Sequence, residues 1–273
     1  MTRTESIRIR GHGGDEIGAF SARPDAGPGP ARPGAGPGSA RPDARPGGSA
    51  RLPGLVLVQE VFGLDPHIRA MAQRFADEGY AVVAPDLYAR EGVPGPKPTP
   101  DIPFPIWSMD EVRAAVSGLP DRRVLGDLEG ALEHLAAAPD VDARRLAAVG
   151  FCMGGNYAYL LGCTSRRLAA VVDFYGRFVY RELSREKPVQ PLELALNLTC
   201  PMLAIFGGKD PSIPPEDVDR FRKVMEQFAR DVTIVTFPAA GHGFMNDRRR
   251  SYDAAAAEEA WKLATEFLRE RLS

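Results

Sequence analysis

Cys152 lies in Gly150-Phe151-Cys152-Met153-Gly154-Gly155, directly after the apolar run Leu146-Ala147-Ala148-Val149. A strand, then G-x-nucleophile-x-G, then a helix is the pattern of a nucleophile elbow, with cysteine where serine is usual. Glycines on such a turn let strand and helix approach without Cβ clashes. The turn lifts one side chain above the sheet edge, and the next backbone N–H can help to hold an oxyanion. Taken alone, a cysteine among apolar residues is more often a small buried hydrophobe than a nucleophile. Two further residues change that balance. Residues 201–206 read as a buried strand that runs into Gly207-Gly208-Lys209-Asp210-Pro211. Residues 232–237 read as another strand, followed by Ala240-Gly241-His242-Gly243-Phe244. Nucleophile, acid and base therefore each follow a strand, in the chain order Cys152, Asp210, His242. A thiol, an imidazole to take its proton and a carboxylate to orient that imidazole are the parts of covalent acyl transfer.

The elements that must position these residues can be read from periodicity. Ser6-Ile7-Arg8-Ile9 and Ile17-Gly18-Ala19-Phe20 predict two strands joined through Gly13-Gly14. From residue 54 the pattern becomes strand alternating with helix. Leu55-Val56-Leu57-Val58 is continuously apolar, as in a sheet covered on both faces. Asp65-Pro66 predicts an N-cap and a first helical residue, and Ile68, Met71, Ala72, Phe75 and Ala76 follow at helical spacing. Gly79 ends that helix, and residues 81–84 form the next strand. Helical faces follow at Val124, Leu128, Ala131, Leu132 and Leu135, at Phe221, Val224, Met225 and Phe228, and at Trp261, Ala264, Phe267 and Leu268. Residues 168–172 read as a strand, and the proline-rich residues 91–120 as a loop or cap beside the site. Repeated βα units imply a mainly parallel sheet with helices on both faces. Sites in such sheets gather at the carboxyl ends of the strands, where Cys152, Asp210 and His242 all fall. The chain order of the three is that of the α/β-hydrolase fold.

Composition narrows the function classes. With 273 residues and 44% hydrophobic content, the chain suits a single α/β-hydrolase domain over 1–273. A net charge of -2 gives no pull toward nucleic acid or an anionic membrane. The polar start Met1-Thr2-Arg3-Thr4-Glu5-Ser6 lacks the apolar core of a signal peptide, and no long apolar run predicts a membrane span. Three cysteines, Cys152, Cys163 and Cys200, do not make a disulfide framework, so a cytoplasmic location is expected. Cys163 and Cys200 read as core residues, and no His/Cys spacing suggests a metal site. Residues 23–53 form a low-complexity insertion in which Ala22-Arg23-Pro24-Asp25-Ala26 recurs as Ala31-Arg32-Pro33-Gly34-Ala35 and Ala40-Arg41-Pro42-Asp43-Ala44. Such a tract buries too little apolar surface to offset its ordering entropy, which predicts a disordered loop rather than a binding arm.

A carboxylate closes the first buried strand, in Gln59-Glu60-Val61-Phe62-Gly63. That loop carries the second oxyanion donor in α/β-hydrolases, which places Glu60 beside the nucleophile. Together with Pro85-Asp86-Leu87-Tyr88-Ala89-Arg90, Gly150-Phe151-Cys152-Met153-Gly154-Gly155, Gly208-Lys209-Asp210 and Ala240-Gly241-His242-Gly243-Phe244, this segment resembles the dienelactone hydrolase (carboxymethylenebutenolidase) family. The resemblance runs from about residue 5 to the C-terminus, outside the repeat tract. It implies a cofactor-free hydrolase that opens an enol-lactone with the triad Cys152, His242 and Asp210. It also implies that Glu60 interacts with the Cys152 thiol and helps to generate the thiolate when substrate binds. The backbone amides of Val61 and Met153 would form the oxyanion hole, and Arg90 would hold a substrate carboxylate.

One departure bears on the substrate. Family members acting on the chlorocatechol-pathway lactone carry a second arginine shortly after the catalytic histidine, where this chain has Asn246, with Arg248, Arg249 and Arg250 just beyond. Tyr88, Tyr175 and Trp107 are further candidates to line the pocket. The expected partner is a small-molecule lactone or ester, with no nucleic acid and no membrane, in a monomer or small homo-oligomer. A general esterase or thioesterase for neutral substrates is the near alternative. A non-enzymatic binding or redox-sensing protein with Cys152 as a sensor thiol is the remote one.

Overall fold

The computed structural model describes residues 2–25, 51–90 and 108–273. The chain opens with an antiparallel hairpin, β1 (Thr2–Arg10) and β2 (Glu16–Pro24), registered from Thr2 opposite Pro24 to Arg10 opposite Glu16. Both strands are longer than their alternation predicts, because the polar outer positions continue the pairing at the sheet edge. Then follow β3 (Leu52–Val58), α1 (Pro66–Asp77), β4 (Ala81–Pro85), α2 (Met109–Gly118) and α3 (Asp121–Ala137). The second half is β5 (Val141–Phe151), α4 (Met153–Thr164), β6 (Leu168–Phe174), β7 (Met202–Gly207), α5 (Pro215–Gln227), β8 (Val232–Phe237) and α6 (Ala254–Arg271).

The eight strands form one sheet in the order β1-β2-β4-β3-β5-β6-β7-β8. β2 pairs antiparallel with β4, and every pair from β4 to β8 is parallel. The apolar runs predicted as strands are the central ones, and Leu55, Val56, Leu57, Val58, Ala147, Ala148 and Val149 have no exposed surface. Asp65 caps α1 as expected, with its Oδ1 accepting from the Ile68 N–H at 2.9 Å, and Gly79 leaves the helix at φ +97. The helical faces read from spacing point inward: Phe75 on α1 meets Trp261 on α6 at 4.5 Å, and Leu128, Ala131 and Leu135 of α3 are fully buried. Cys163 and Cys200 are buried in the core, and burial pushes their thiols up to about 12 and about 11.

Two expectations change. The ends of the low-complexity tract belong to strands, since β2 runs to Pro24 and β3 starts at Leu52; residues 26–50 lie outside the described residues. The segment expected to be a loop or cap over 91–120 contains α2, with residues 91–107 outside the described residues. A capping box starts that helix: Ser108 Oγ accepts from the Glu111 N–H, and the Glu111 carboxylate accepts from the Ser108 N–H. Among the described residues no helix is long and apolar enough to cross a membrane.

Candidate active site

β5 delivers Cys152 to the carboxyl edge of the sheet, and α4 begins at the next residue. Cys152 has φ 55 and ψ -118, a backbone conformation that costs a non-glycine residue about 1–3 kcal/mol and persists only where its surroundings hold it. Here the Cys152 N–H donates to the Phe174 carbonyl at 2.9 Å, and the Cys152 carbonyl accepts from the Gly155 N–H at 3.0 Å. Gly150 and Gly154 make room for the turn. A Cβ on Gly150 would run into the Gly154 carbonyl, and one on Gly154 would run into the Val58 and Gln59 carbonyls.

The loops after β7 and β8 bring two more side chains to the thiol. His242 Nε2 is 3.0 Å from Cys152 Sγ, and His242 Nδ1 is 2.6 Å from Asp210 Oδ2. Asp210 is itself fixed, its Oδ1 accepting from the Ser212 N–H at 2.7 Å. Burial works against a charged imidazole at His242. The negative charge developing at Cys152 and the hydrogen bonds to Asp210 and Cys152 outweigh it, holding His242 well above the usual histidine range.

The turn after β3 completes the edge. The Gly63 N–H donates to the Glu60 carbonyl at 3.2 Å, which curls Val61 toward the elbow. Among the described residues the amides of Val61 and Met153 donate to no protein acceptor, as an oxyanion hole requires. Tyr88 braces them from below: its hydroxyl donates to the Val61 carbonyl at 2.9 Å and lies 3.9 Å from Met153 Sδ. Tyr88 and Tyr175, both expected to line the pocket, are buried. The Tyr175 ring packs edge-on against His242 at 5.3 Å and Phe244 at 5.4 Å.

Glu60 makes its hydrogen bonds to Tyr175 and Asn246. The hydrogen-bonded partner of Cys152 Sγ is His242, while Glu60, 2% exposed, is held from two sides. Tyr175 donates its hydroxyl to Oε1 at 3.3 Å, and Asn246 donates Nδ2 to Oε2 at 3.1 Å. Asn246 is buried, and its own Oδ1 accepts from the Arg248 N–H at 3.1 Å. An amide at that position satisfies a buried carboxylate without adding charge. Beneath the same turn, burial raises the Asp65 carboxyl to about 6, with the Ile68 N–H opposing and the charge of Glu60 adding to the rise.

Arg90, expected to hold substrate, is spent on the fold. Its Nη1 and Nη2 form a bidentate pair with Asp127 at 2.6 and 2.8 Å, and Nε reaches Asp15 at 2.9 Å. Asp127 has no exposed surface and also accepts from the His12 N–H at 2.7 Å. The guanidinium therefore ties α3 to the β1–β2 turn. The signal was present in the sequence: Asp127 stands inside the apolar stripe of Val124, Leu128 and Ala131, where an acid needs a buried cation. Asp173 was also missed. Burial pushes its carboxyl well above the usual range, although the Gly176 N–H at 2.8 Å and nearby His242 pull the other way. Trp107 lies outside the described residues.

A mainly parallel sheet flanked by helices, with the strained Cys152 turn after β5 and with Asp210 and His242 on the loops after β7 and β8, defines an α/β-hydrolase. The model of the dienelactone hydrolase family matches residues 42–272. The chain belongs to that family and is a hydrolase of lactone and ester bonds. It is 35% identical over 257 residues to an Escherichia coli K12 protein assigned as a carboxymethylenebutenolidase, covering 94% of this chain and 83% of that one. A Bradyrhizobium protein assigned as a 2-oxo-3-(5-oxofuran-2-ylidene)propanoate lactonase is 32% identical, covering 81% and 85%. A crystal structure from Klebsiella pneumoniae, assigned as a dienelactone hydrolase, superposes with a TM-score of 0.82 at 30% identity over 99% of both chains.

Proposed function

We propose that the chain opens enol-lactones, or related carboxylic esters, through a thioester on Cys152. The observation that carries this is the unbroken line from Asp210 Oδ2 to His242 Nδ1, at 2.6 Å, and from Nε2 to Cys152 Sγ, at 3.0 Å. His242 takes the thiol proton, and Asp210 fixes the ring and supports its charge. The thiolate attacks the lactone carbonyl while the Val61 and Met153 amides stabilise the oxyanion. The ring C–O bond breaks, the thioester forms, and the leaving enolate needs little protonation. The released enolate then takes the Nε2 proton of His242, which frees Nε2 to accept a proton from water as its oxygen attacks the thioester; the C–S bond breaks, the acid departs, and Sγ regains its proton from His242. Glu60, fixed by Tyr175 and Asn246, anchors the Val61 turn in this scheme and takes no proton.

A neutral-ester or thioesterase reading draws support from Arg90, whose donors already serve Asp127 and Asp15. The test measures turnover of 4-carboxymethylenebut-2-en-4-olide and of p-nitrophenyl acetate by wild type, Cys152→Ala and His242→Ala, with mass spectrometry of quenched wild type. Both variants should lose at least about 10⁴-fold in kcat while keeping the fold, and wild type should carry the acyl mass on Cys152. Turnover that survives in Cys152→Ala refutes the covalent scheme.

A further inference from the structure

We propose that β8 is a dimerisation edge, on which a second copy of this chain pairs antiparallel about a two-fold axis at Ile234. β8 closes one side of the sheet and, among the described residues, pairs only with β7. The two edges of the sheet are built differently. β1, at the other side, exposes Arg3, Glu5, Arg8 and Arg10, charges of the kind that keep an edge strand from pairing with another chain. β8 reads Val232-Thr233-Ile234-Val235-Thr236-Phe237, with no charge and no proline, and its register with β7 runs without a bulge. None of its residues is buried, whereas β7 beside it is buried throughout. A regular, uncharged edge of this kind is a template for a further strand.

The hydrogen bonds to β7 fix which groups are open. The Asp231 carbonyl accepts from the Met202 N–H at 2.9 Å, and the Phe237 carbonyl accepts from the Gly208 N–H at 2.8 Å. Successive residues of a strand direct their N–H and C=O groups to opposite sides, so the odd-numbered residues serve β7, and Val232, Ile234 and Thr236 present theirs outward. The Val232 N–H already donates to the Arg230 carbonyl at 3.0 Å, which leaves the Ile234 and Thr236 N–H groups as the outward donors. With Ile234 opposite its own copy across the axis, each Ile234 N–H meets the other copy's Ile234 carbonyl, and each Thr236 N–H meets the other copy's Val232 carbonyl. Both outward donors then have acceptors. Thr233 falls opposite Val235 in this register, so the cross-strand pairs are β-branched and pack well. The flanking charges are turned back onto their own chain. Arg230 donates to the Phe228 and Leu198 carbonyls at 2.7 and 2.9 Å, and Asp231 pairs with Arg271 at 3.6 Å. The joined sheet ends in two charged β1 edges, which closes the assembly at two copies. Because the axis stands perpendicular to the sheet, the two Cys152 edges open in opposite directions, and each triad lies within one chain.

The test is sedimentation velocity on the full chain at about 10 µM, where a dimer of micromolar Kd or tighter is populated. Wild type should sediment as a dimer. Thr236→Pro removes an outward N–H that β7 does not use, a change an edge strand tolerates, and should raise the dimer Kd at least about tenfold. Ile234→Lys and Ile234→Glu each set like charges against one another at the axis, and each should sediment as a monomer. Circular dichroism and p-nitrophenyl acetate turnover should match wild type in all three variants. Mixing the Ile234→Lys and Ile234→Glu variants in equal amounts should restore the dimer, since opposite charges then meet, an outcome that a folding defect would not give. A monomeric wild type, a dimer indifferent to all three substitutions, or folded variants whose mixture stays monomeric overturns the assignment. Species that grow beyond two copies with concentration overturn the closed two-fold pairing.

Discussion

At the scale of single residues, the site is built on pairs that differ in what they leave available. Arg90 and Asp127 illustrate one extreme, since a fully buried carboxylate is satisfied by a guanidinium with little freedom left. Removing one partner of such a pair strands the other charge and typically costs about 3–5 kcal/mol. Arg90→Ala is therefore expected to lower the urea midpoint strongly, whereas the double variant Arg90→Met/Asp127→Leu should recover much of that loss. Loss of lactone KM in Arg90→Met/Asp127→Leu with stability restored would instead return Arg90 to the substrate. Glu60 illustrates the other extreme. Its donors, Tyr175 and Asn246, are neutral, so the carboxylate's charge is uncompensated by direct contact and is felt by its neighbours.

At the scale of elements, α1 stores the clearest electrostatic cost. Asp65 caps the helix, yet burial raises its carboxyl from 3.8 to about 6. A carboxyl raised on folding binds its proton more tightly in the native state, so its stability contribution is most favourable below pH 3.8 and declines as pH rises toward 6. Above that the cost is constant, on the order of 3 kcal/mol at most. Asparagine caps as well as aspartate and carries no charge. Asp65→Asn should thus gain stability over wild type as pH rises from about 4 to about 6, with a plateau beyond, read as the difference in urea midpoints across that range. A gain independent of pH would mean that burial of the charge is not the cause. α2 shows the limit of periodicity: its ten residues carry only a capping box and a weak stripe, and a proline-rich approach masks them in the sequence.

At the scale of the whole molecule, what was legible in the sequence follows from the range of the interaction that fixes it. Cys152, Asp210 and His242 could be placed because each depends on local strand-to-turn chemistry, and the sheet then brings the three together. The buried stripes of α1, α3 and α6 were legible for the same reason. The partners of Arg90 and Glu60 were not, because Asp127 is 37 residues from Arg90 and Asn246 is 186 residues from Glu60. No local pattern encodes which acid meets which base over such distances. The strand register also gives a prediction of its own. Ala22 of β2 and Leu55 of β3 both lie level with Val82 of β4, so β2 ends and β3 begins at one end of the sheet, two strand spacings or about 10 Å apart. Replacing residues 26–50 by a six-residue Gly/Ser linker, which reaches about 20 Å, should preserve both the urea midpoint and lactone turnover. A loss of either would show that the tract contributes to the fold or the site.

That same register has a practical side. Val58 pairs with Gly150 at the Cys152 end, and Leu52 pairs with Val141 at the other, so six strand residues, about 20 Å, separate the junction from the Cys152 edge. The junction is thus a port on the blind side of the enzyme. An affinity tag, a surface anchor or a fluorophore-bearing loop spliced between Asp25 and Arg51 would immobilise or label the protein with its reactive edge facing outward.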